Sequence, residues 1–230
     1  DYLDRVQRVY GADHPNENLA RFQLNAHLIG LSHGLGPGVL SGYAHFIENQ
    51  TLPLTSHRNL GLRYTAKKAV PDGIGWIASV EYAQQKAYAN GASAIDADYL
   101  AFEGGLVWNA NTFKFGWEKL GGDGHYGFAT PLATLHAFDG WADKFLTTPA
   151  NGLTDTSLGW SRKFGKLSAA VVWHDFHADA GSQHYGNEWD ASLGYAFDTH
   201  WNGLVKLADY QADSFGRDTR KTWIGVEYVY

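Results

Sequence analysis

From one end to the other, apolar and polar residues alternate with a period of two, the spacing of side chains on a half-buried β-strand. Residues 22–32 set Phe22, Leu24, Ala26 and Leu28 against Gln23, Asn25 and His27. Residues 59–67 set Leu60, Leu62, Tyr64 and Ala66 against Asn59, Arg63, Thr65 and Lys67. Residues 74–85 set Ile74, Trp76, Ala78, Val80 and Tyr82 against Ser79, Glu81 and Gln85. The same rule places Leu100, Phe102, Leu106 and Trp108 opposite Glu103, and Phe113, Phe115 and Trp117 opposite Lys114 and Glu118. Residues 188–198 give the clearest case, with Trp189, Ala191, Leu193, Tyr195 and Phe197 against Asp190, Ser192, Gly194 and Asp198. The last stretch sets Thr222, Ile224, Val226, Tyr228 and Tyr230 against Trp223, Gly225 and Glu227. Residues 38–48, 153–164, 166–178 and 201–212 alternate less regularly, and 1–10 is ambiguous because Arg5 and Arg8 fall on opposite faces. The pattern predicts about twelve strands of roughly ten residues, the length that crosses a bilayer at a tilt.

The links between these segments alternate too. GLGPG, VPDG, NANT, RKFGK and DTHWN are short; ADHPNENLA, ENQTLPLTSH, YANGASAIDAD, residues 121–152, ADAGSQHYGNE and QADSFGRDTR are longer and polar. Short turns on one side and long loops on the other predict an all-β, transmembrane, antiparallel up-and-down β-barrel, with residues 1–230 as one outer-membrane domain. The long links would lie outside the cell and both ends of this chain at the periplasmic rim. The apolar face then meets lipid, and the other face lines water. Arg63, Lys67, Glu81, Glu103, Lys114, Glu118, Asp190, Lys206 and Glu227 are the expected pore-lining residues. Trp108, Phe113, Phe164, Trp173, Phe197, Trp201 and Tyr230 stand near predicted strand ends, where aromatic girdles form. A soluble β-sandwich or lipocalin-like barrel accounts for the alternation but not for so many charges on the second face.

Composition supports this reading. Aromatic residues make up 15% of the chain and glycines number 27, a mix suited to strands and tight turns. No apolar run is long enough for a transmembrane helix. Cysteine is absent, so there is no disulfide framework and no thiolate metal site. A net charge of −6 argues against a nucleic-acid partner. The opening DYLDRVQRVYG is strand-like, with no charged and apolar leader, and reads as a processed chain or part of a longer one.

Residues 121–152 are too long for an idle connection and too apolar for a disordered one. Phe138, Trp141 and Phe145 follow the spacing i, i+3, i+7, so a short helix beginning near Asp139 is expected. The segment is either a hydrophobic cap over the outer mouth or a loop folded into the lumen. Phe138, Trp141 and Lys144 are the expected constriction residues. The stretch TPLATLHAFDGWADKFLTTPANGLTD, following FKFGWEKLGGDG, resembles the signature region of the alginate-export family of bacterial outer-membrane β-barrels, and YLDRVQRVYG resembles an internal strand of such proteins. The resemblance implies a channel in the bacterial outer membrane for a polar solute or a polysaccharide, without catalysis or cofactor. It also implies that this chain corresponds to the C-terminal portion of a member, with further strands preceding it. Lipid and lipopolysaccharide would be the surrounding partners. A pore for the polyanion alginate should be rich in Arg and Lys. Here Arg63, Lys67, Lys114, Lys163, Lys166, Lys206 and Lys221 are nearly balanced by Glu81, Glu103, Glu118, Asp155, Asp190, Asp198 and Glu227.

The alternatives are a lipid-modifying enzyme barrel and a plugged structural or adhesin barrel. An enzyme needs a nucleophile within hydrogen-bond reach of its base. Ser168 and His174 share a face but stand about 20 Å apart on a strand. Ser56 and His57 are adjacent and point to opposite sides. No metal site is expected either. His174 and His177 fall on opposite faces of a strand, and His14, His33, His57, His125, His136, His184 and His200 lie scattered in predicted loops or turns.

Overall fold

The computed structural model describes the whole chain except residues 9, 10 and 133–137 and the side chain of Asn18. Leu135 and His136 therefore lie outside the described residues. The strands are β1 (Tyr2–Gln7), β2 (Arg21–Leu35), β3 (Gly38–Asn49), β4 (His57–Lys68), β5 (Gly75–Ala87), β6 (Asp96–Trp108), β7 (Asn111–Leu120), β8 (Leu153–Phe164), β9 (Leu167–His177), β10 (His184–Ala196), β11 (Trp201–Ala212) and β12 (Thr219–Tyr228). They form one 12-stranded antiparallel sheet in chain order, so every link is a hairpin. Among the described residues β12 does not pair with β1 and the sheet stays open, in keeping with the expectation that this chain is part of a larger barrel.

The two faces follow from the register. Arg63 lies opposite Glu81, Glu81 opposite Ala101, Ala101 opposite Glu118, and Glu118 opposite Asp155. These residues share one face, here called inner because residues 121–152 lie over it. The intervening residues point the other way. Leu62, Leu106, Leu158, Leu193, Ile224 and Val226 are among a broad outer belt of exposed apolar side chains, with Ile224 81% and Val226 69% exposed. A belt of that extent has no place on a water-soluble monomer and suits acyl chains. Trp108, Phe113, Phe164, Phe197 and Trp201 are exposed among them, and Trp173 is paired between Leu158 and Trp189 on the same outer face. Toward the long-link end the outer face turns polar. Asn25 donates to Glu48 (2.9 Å), Lys119 pairs with Asp98 (2.8 Å), and Arg220 pairs with Asp209 (2.6 Å).

Two expectations fail here for stated reasons. In β2 the faces are reversed from the expected ones: Leu24 and Ala26 are buried on the inner face against Ile47, with Leu132 packed on them, whereas Gln23 and His27 face outward. Further along the strand Ile29, Leu31 and Leu35 supply the outer apolar belt. The strand is apolar on opposite faces in its two halves because its first half is covered from inside. Secondly, no helix begins near Asp139. Asp139, Gly140 and Asp143 all have positive φ (54°, 80° and 57°), which a right-handed helix cannot accommodate.

The core lies between the long-link half of the inner face and residues 121–152. Leu120, Leu153, Phe176, Tyr185 and Tyr210 from the sheet pack with Phe128, Ala142 and Phe145 from the loop. Phe145 stacks on Phe215 (5.1 Å between centroids) and touches Phe176 at 4.7 Å. The inner face is thus dry and aromatic in one half, charged and wetter in the other.

Candidate functional site

The loop over the inner face is closed at its neck by backbone contact. At Gly122 a Cβ would fall 2.0 Å from the Gly152 nitrogen, so the two stems approach as only glycine permits. From there the segment is bound to the wall on two sides. On one side Gln85, fully buried in β5, uses both ends of its amide. Its Nε2 donates to Asn59 Oδ1 and to the Ala129 carbonyl (2.9 Å each). Its Oε1 accepts from the Ala129 N–H (2.8 Å) and the Tyr126 hydroxyl. On the other side, two buried carboxylates of β10 receive loop amides. The Ala142 N–H donates to Glu188 (2.6 Å) and the Trp141 N–H to Asp190 (3.1 Å). These donors satisfy buried acceptors that would be costly to leave unpaired. Lys221 adds an ion pair to Asp143 (2.6 Å), Lys144 donates to Thr219 Oγ1, and the Lys206 ammonium sits 3.9 Å over the Trp141 ring.

Between this loop and the wall of β2 to β7 is a cavity of about 380 Å³. Its sheet side carries Tyr43, His45, Arg63, Glu81, Tyr99 and Glu118; its loop side is mainly apolar, with Phe128, Leu132 and Phe138. Tyr43 donates to Glu81 (2.6 Å) and Tyr99 to Glu118 (2.7 Å), while the Arg63 guanidinium lies 3.5 Å from Glu81. Glu81 and Glu118 therefore each have a phenol as donor. Behind the loop Asp155 takes a hydrogen bond from the His174 imidazole (2.8 Å), whose other nitrogen is 3.8 Å from Asp190. Asp139 enters the same region from the loop, and among the described residues one buried carboxyl oxygen each of Asp139 and Asp155 has no hydrogen-bond partner. Burial, with the carboxylates of Glu118 and Asp155 nearby, pushes the Asp139 carboxyl well above its usual range. Lys144 is pushed below its usual range, first by burial and then by Arg217 and Lys221.

The nine wall residues expected from the sequence all lie on the inner face by register. Arg63, Glu81 and Glu118 line the cavity; Lys114 pairs with Glu103 (3.0 Å) in the wetter half, where Lys67 and Glu227 also stand exposed. Asp190 and Lys206 sit across the sheet, under the loop. Of the loop residues, Phe138 borders the cavity, whereas Trp141 and Lys144 are bound to β10 and β12. Lys166 and Asp198 belong to turns: Lys166 donates to the Phe197 carbonyl, and Asp198 accepts from the His200 and Trp201 amides. Sequence reasoning missed Glu188, Gln85 and Asp139 as anchors. Glu188 shares its parity with Asp190, which was the available signal. Ser168 donates to the Gly194 carbonyl (3.3 Å), and Ser56 Oγ accepts from the Asn49 N–H (2.9 Å), so neither serine faces a histidine base.

Neither a protein-family model nor a curated protein matches the sequence. Solved structures do resemble the fold. Acinetobacter baumannii OccAB2 superposes with a TM-score of 0.74 at 16% identity, over 99% of this chain and 62% of that one. Pseudomonas aeruginosa OpdK, solved with vanillate, gives 0.72 at 17% identity, over 99% and 62%. The structure described as the outer membrane protein OpdK from Pseudomonas aeruginosa gives 0.68 at 17%, over 99% and 64%. This chain thus spans roughly three-fifths of the length of the proteins it resembles. Its twelve strands have the fold of the greater part of an outer-membrane β-barrel.

Proposed function

We propose that this chain forms most of the wall of a passive channel in the bacterial outer membrane, with residues 121–152 narrowing the lumen. The observation that carries the reading is the docking of that segment against the inner face through Gln85, Glu188 and Asp190. An external cap would not dock on inner-face side chains, and a plug would not leave a cavity of about 380 Å³ beside the segment. The outer apolar belt supplies the lipid contact, and the polar band at its long-link edge suits lipopolysaccharide head groups. The long links then lie outside the cell.

The solute class follows from the cavity. Its volume of about 380 Å³ fits a small molecule, and an apolar loop side facing a guanidinium, an imidazole and two phenols suits a small polar or aromatic solute. Vanillate, bound in the OpdK structure, has that character. The Glu81 and Glu118 carboxylates share the row with Arg63 and disfavour a polyanion, so export of an alginate-like polysaccharide is the weaker reading although the loop sequence resembles that family. The two serines considered for lipid chemistry, Ser168 and Ser56, bond backbone groups rather than a histidine. In planar bilayers the intact protein should give stepwise conductance, and deleting 128–148 should enlarge each step. Absence of any conductance would overturn the channel reading; an unchanged step after the deletion would overturn the role of the loop.

A further inference from the structure

A second constellation lies on the outer face at the long-link rim, away from the lumen. Asp175 and His177 are two apart on β9 and so share a face. His184 opens β10 directly across from His177. The His177 Nε2 lies 3.1 Å from Asp175 Oδ2, and the His184 Nε2 lies 2.8 Å from Asp175 Oδ1. The two imidazoles, 4.7 Å between centroids, thus converge on one carboxylate. One donor atom from each of the three residues lies within 4.8 Å of the others. Two ligands bonded to one zinc ion at about 2.1 Å are at most about 4.2 Å apart. At tetrahedral angles that separation is about 3.4 Å, so the side chains must close by up to about 1.4 Å, an adjustment open to imidazoles that are 33% and 46% exposed.

The surroundings are also arranged as a metal site requires. The other nitrogen of His184, Nδ1, is 3.2 Å from Asp213 Oδ2. A carboxylate behind a ligating histidine fixes the ring and turns the Nε2 lone pair toward the ion. Asp213 is itself held in place: its N–H donates to the Tyr185 carbonyl, and the neighbouring Ser214 hydroxyl donates to the His184 carbonyl (2.6 Å). The side chains of His177, His184 and Asp175 are 46%, 33% and 29% exposed, which leaves room for water at a fourth position. Two imidazoles and one carboxylate select zinc, copper, nickel or cobalt over magnesium and calcium, which prefer all-oxygen cages.

We propose that Asp175, His177 and His184, backed by Asp213, bind one divalent transition-metal ion at the outer rim. The ion would brace the ends of β9 and β10 against the 213–218 link. This site is independent of the lumen and of the channel reading.

The test uses the intact, untagged protein in detergent micelles, stripped with a chelator and titrated with zinc in a calorimeter. Cobalt serves as the spectroscopic probe. One ion should bind per chain, with a visible cobalt spectrum indicating nitrogen and oxygen ligands, and millimolar magnesium should not displace it. His184→Ala and Asp175→Asn should each weaken binding at least about 10-fold, and Asp213→Asn about 10-fold to 100-fold, as is usual for a carboxylate behind a ligand. His200→Ala, in a turn, should bind as the parent does. Circular dichroism of each variant separates lost binding from lost folding. Failure of the parent to bind an ion, or binding by folded His184→Ala and Asp175→Asn variants as tight as the parent's, would overturn the proposal.

Discussion

Single residues decide whether the loop stays inside. Glu188 and Asp190 are fully buried, and removing their amide partners would leave carboxyl oxygens unsatisfied in a dry environment, an expensive outcome. Asp139 faces Glu118 and Asp155, and its raised pKa has a definite sign. A carboxyl whose pKa is raised on docking favours the docked state while it is protonated. That contribution is present at low pH and is lost as pH rises through the raised pKa, when a third carboxylate must ionise beside two others. Open-channel current should therefore become larger or noisier as pH rises. Asp139→Asn should flatten the part of that dependence due to this residue, and a variant that keeps the parent's full pH profile would refute the assignment. The sequence announces Asp190 through its parity. It does not announce Gln85 or Asp139, because their importance comes from contact between the wall and a loop distant from it in sequence.

At the scale of elements, the strands were legible wherever one face meets lipid and the other meets water. β4, β5, β7, β10 and β12 have the faces their alternation assigns. β2 does not, since the loop cluster supplies an apolar environment from within, and alternation reports polarity of surroundings rather than direction. The 138–145 spacing misled for a related reason: its aromatic residues are spread by a chain with left-handed bends. Gly140 is one such bend, with φ +80°, and a Cβ there would sit 2.6 Å from the Glu188 carboxylate. Gly140→Ala combines an unfavourable φ with that clash, a penalty of about 1–3 kcal/mol on docking. It should speed proteolysis within 139–148 and leave the β-content unchanged. Equal proteolysis rates in parent and variant would argue that the loop is held elsewhere. The convergence of His177 and His184 was hidden for a third reason. They lie on different strands, and only cross-strand register brings them together.

For the whole molecule the open edge matters most. Among the described residues β1 pairs only with β2 and β12 only with β11, so each has one row of backbone groups without a strand partner there. In hydrocarbon every such group costs several kcal/mol, which no membrane-embedded sheet tolerates along its length. In lipid vesicles, amide exchange across 219–228 should therefore be as slow as across 186–196, because the edge must be paired there. Fast exchange confined to β12 would contradict a membrane-spanning sheet. That the sheet would be transmembrane is legible from alternation and link lengths together; that it would stay open is legible only through the family resemblance, because both edges obey the same period of two as the interior strands.

The loop's unequal attachment divides the wall into two kinds of surface. Trp141, Ala142 and Lys144 fasten it to β10 and β12, while the open space is left beside β3, β4 and β6. A traveller through this passage would keep to an off-centre lane, brushing Tyr43, His45 and Arg63, with the opposite bank serving as a bracket. The two surfaces meet at β5, whose Gln85 grips the loop through Tyr126 and Ala129 while its Glu81 borders the open space; on the channel reading a change in β10 or β12 alters the bracket alone, and a change in β5 alters both.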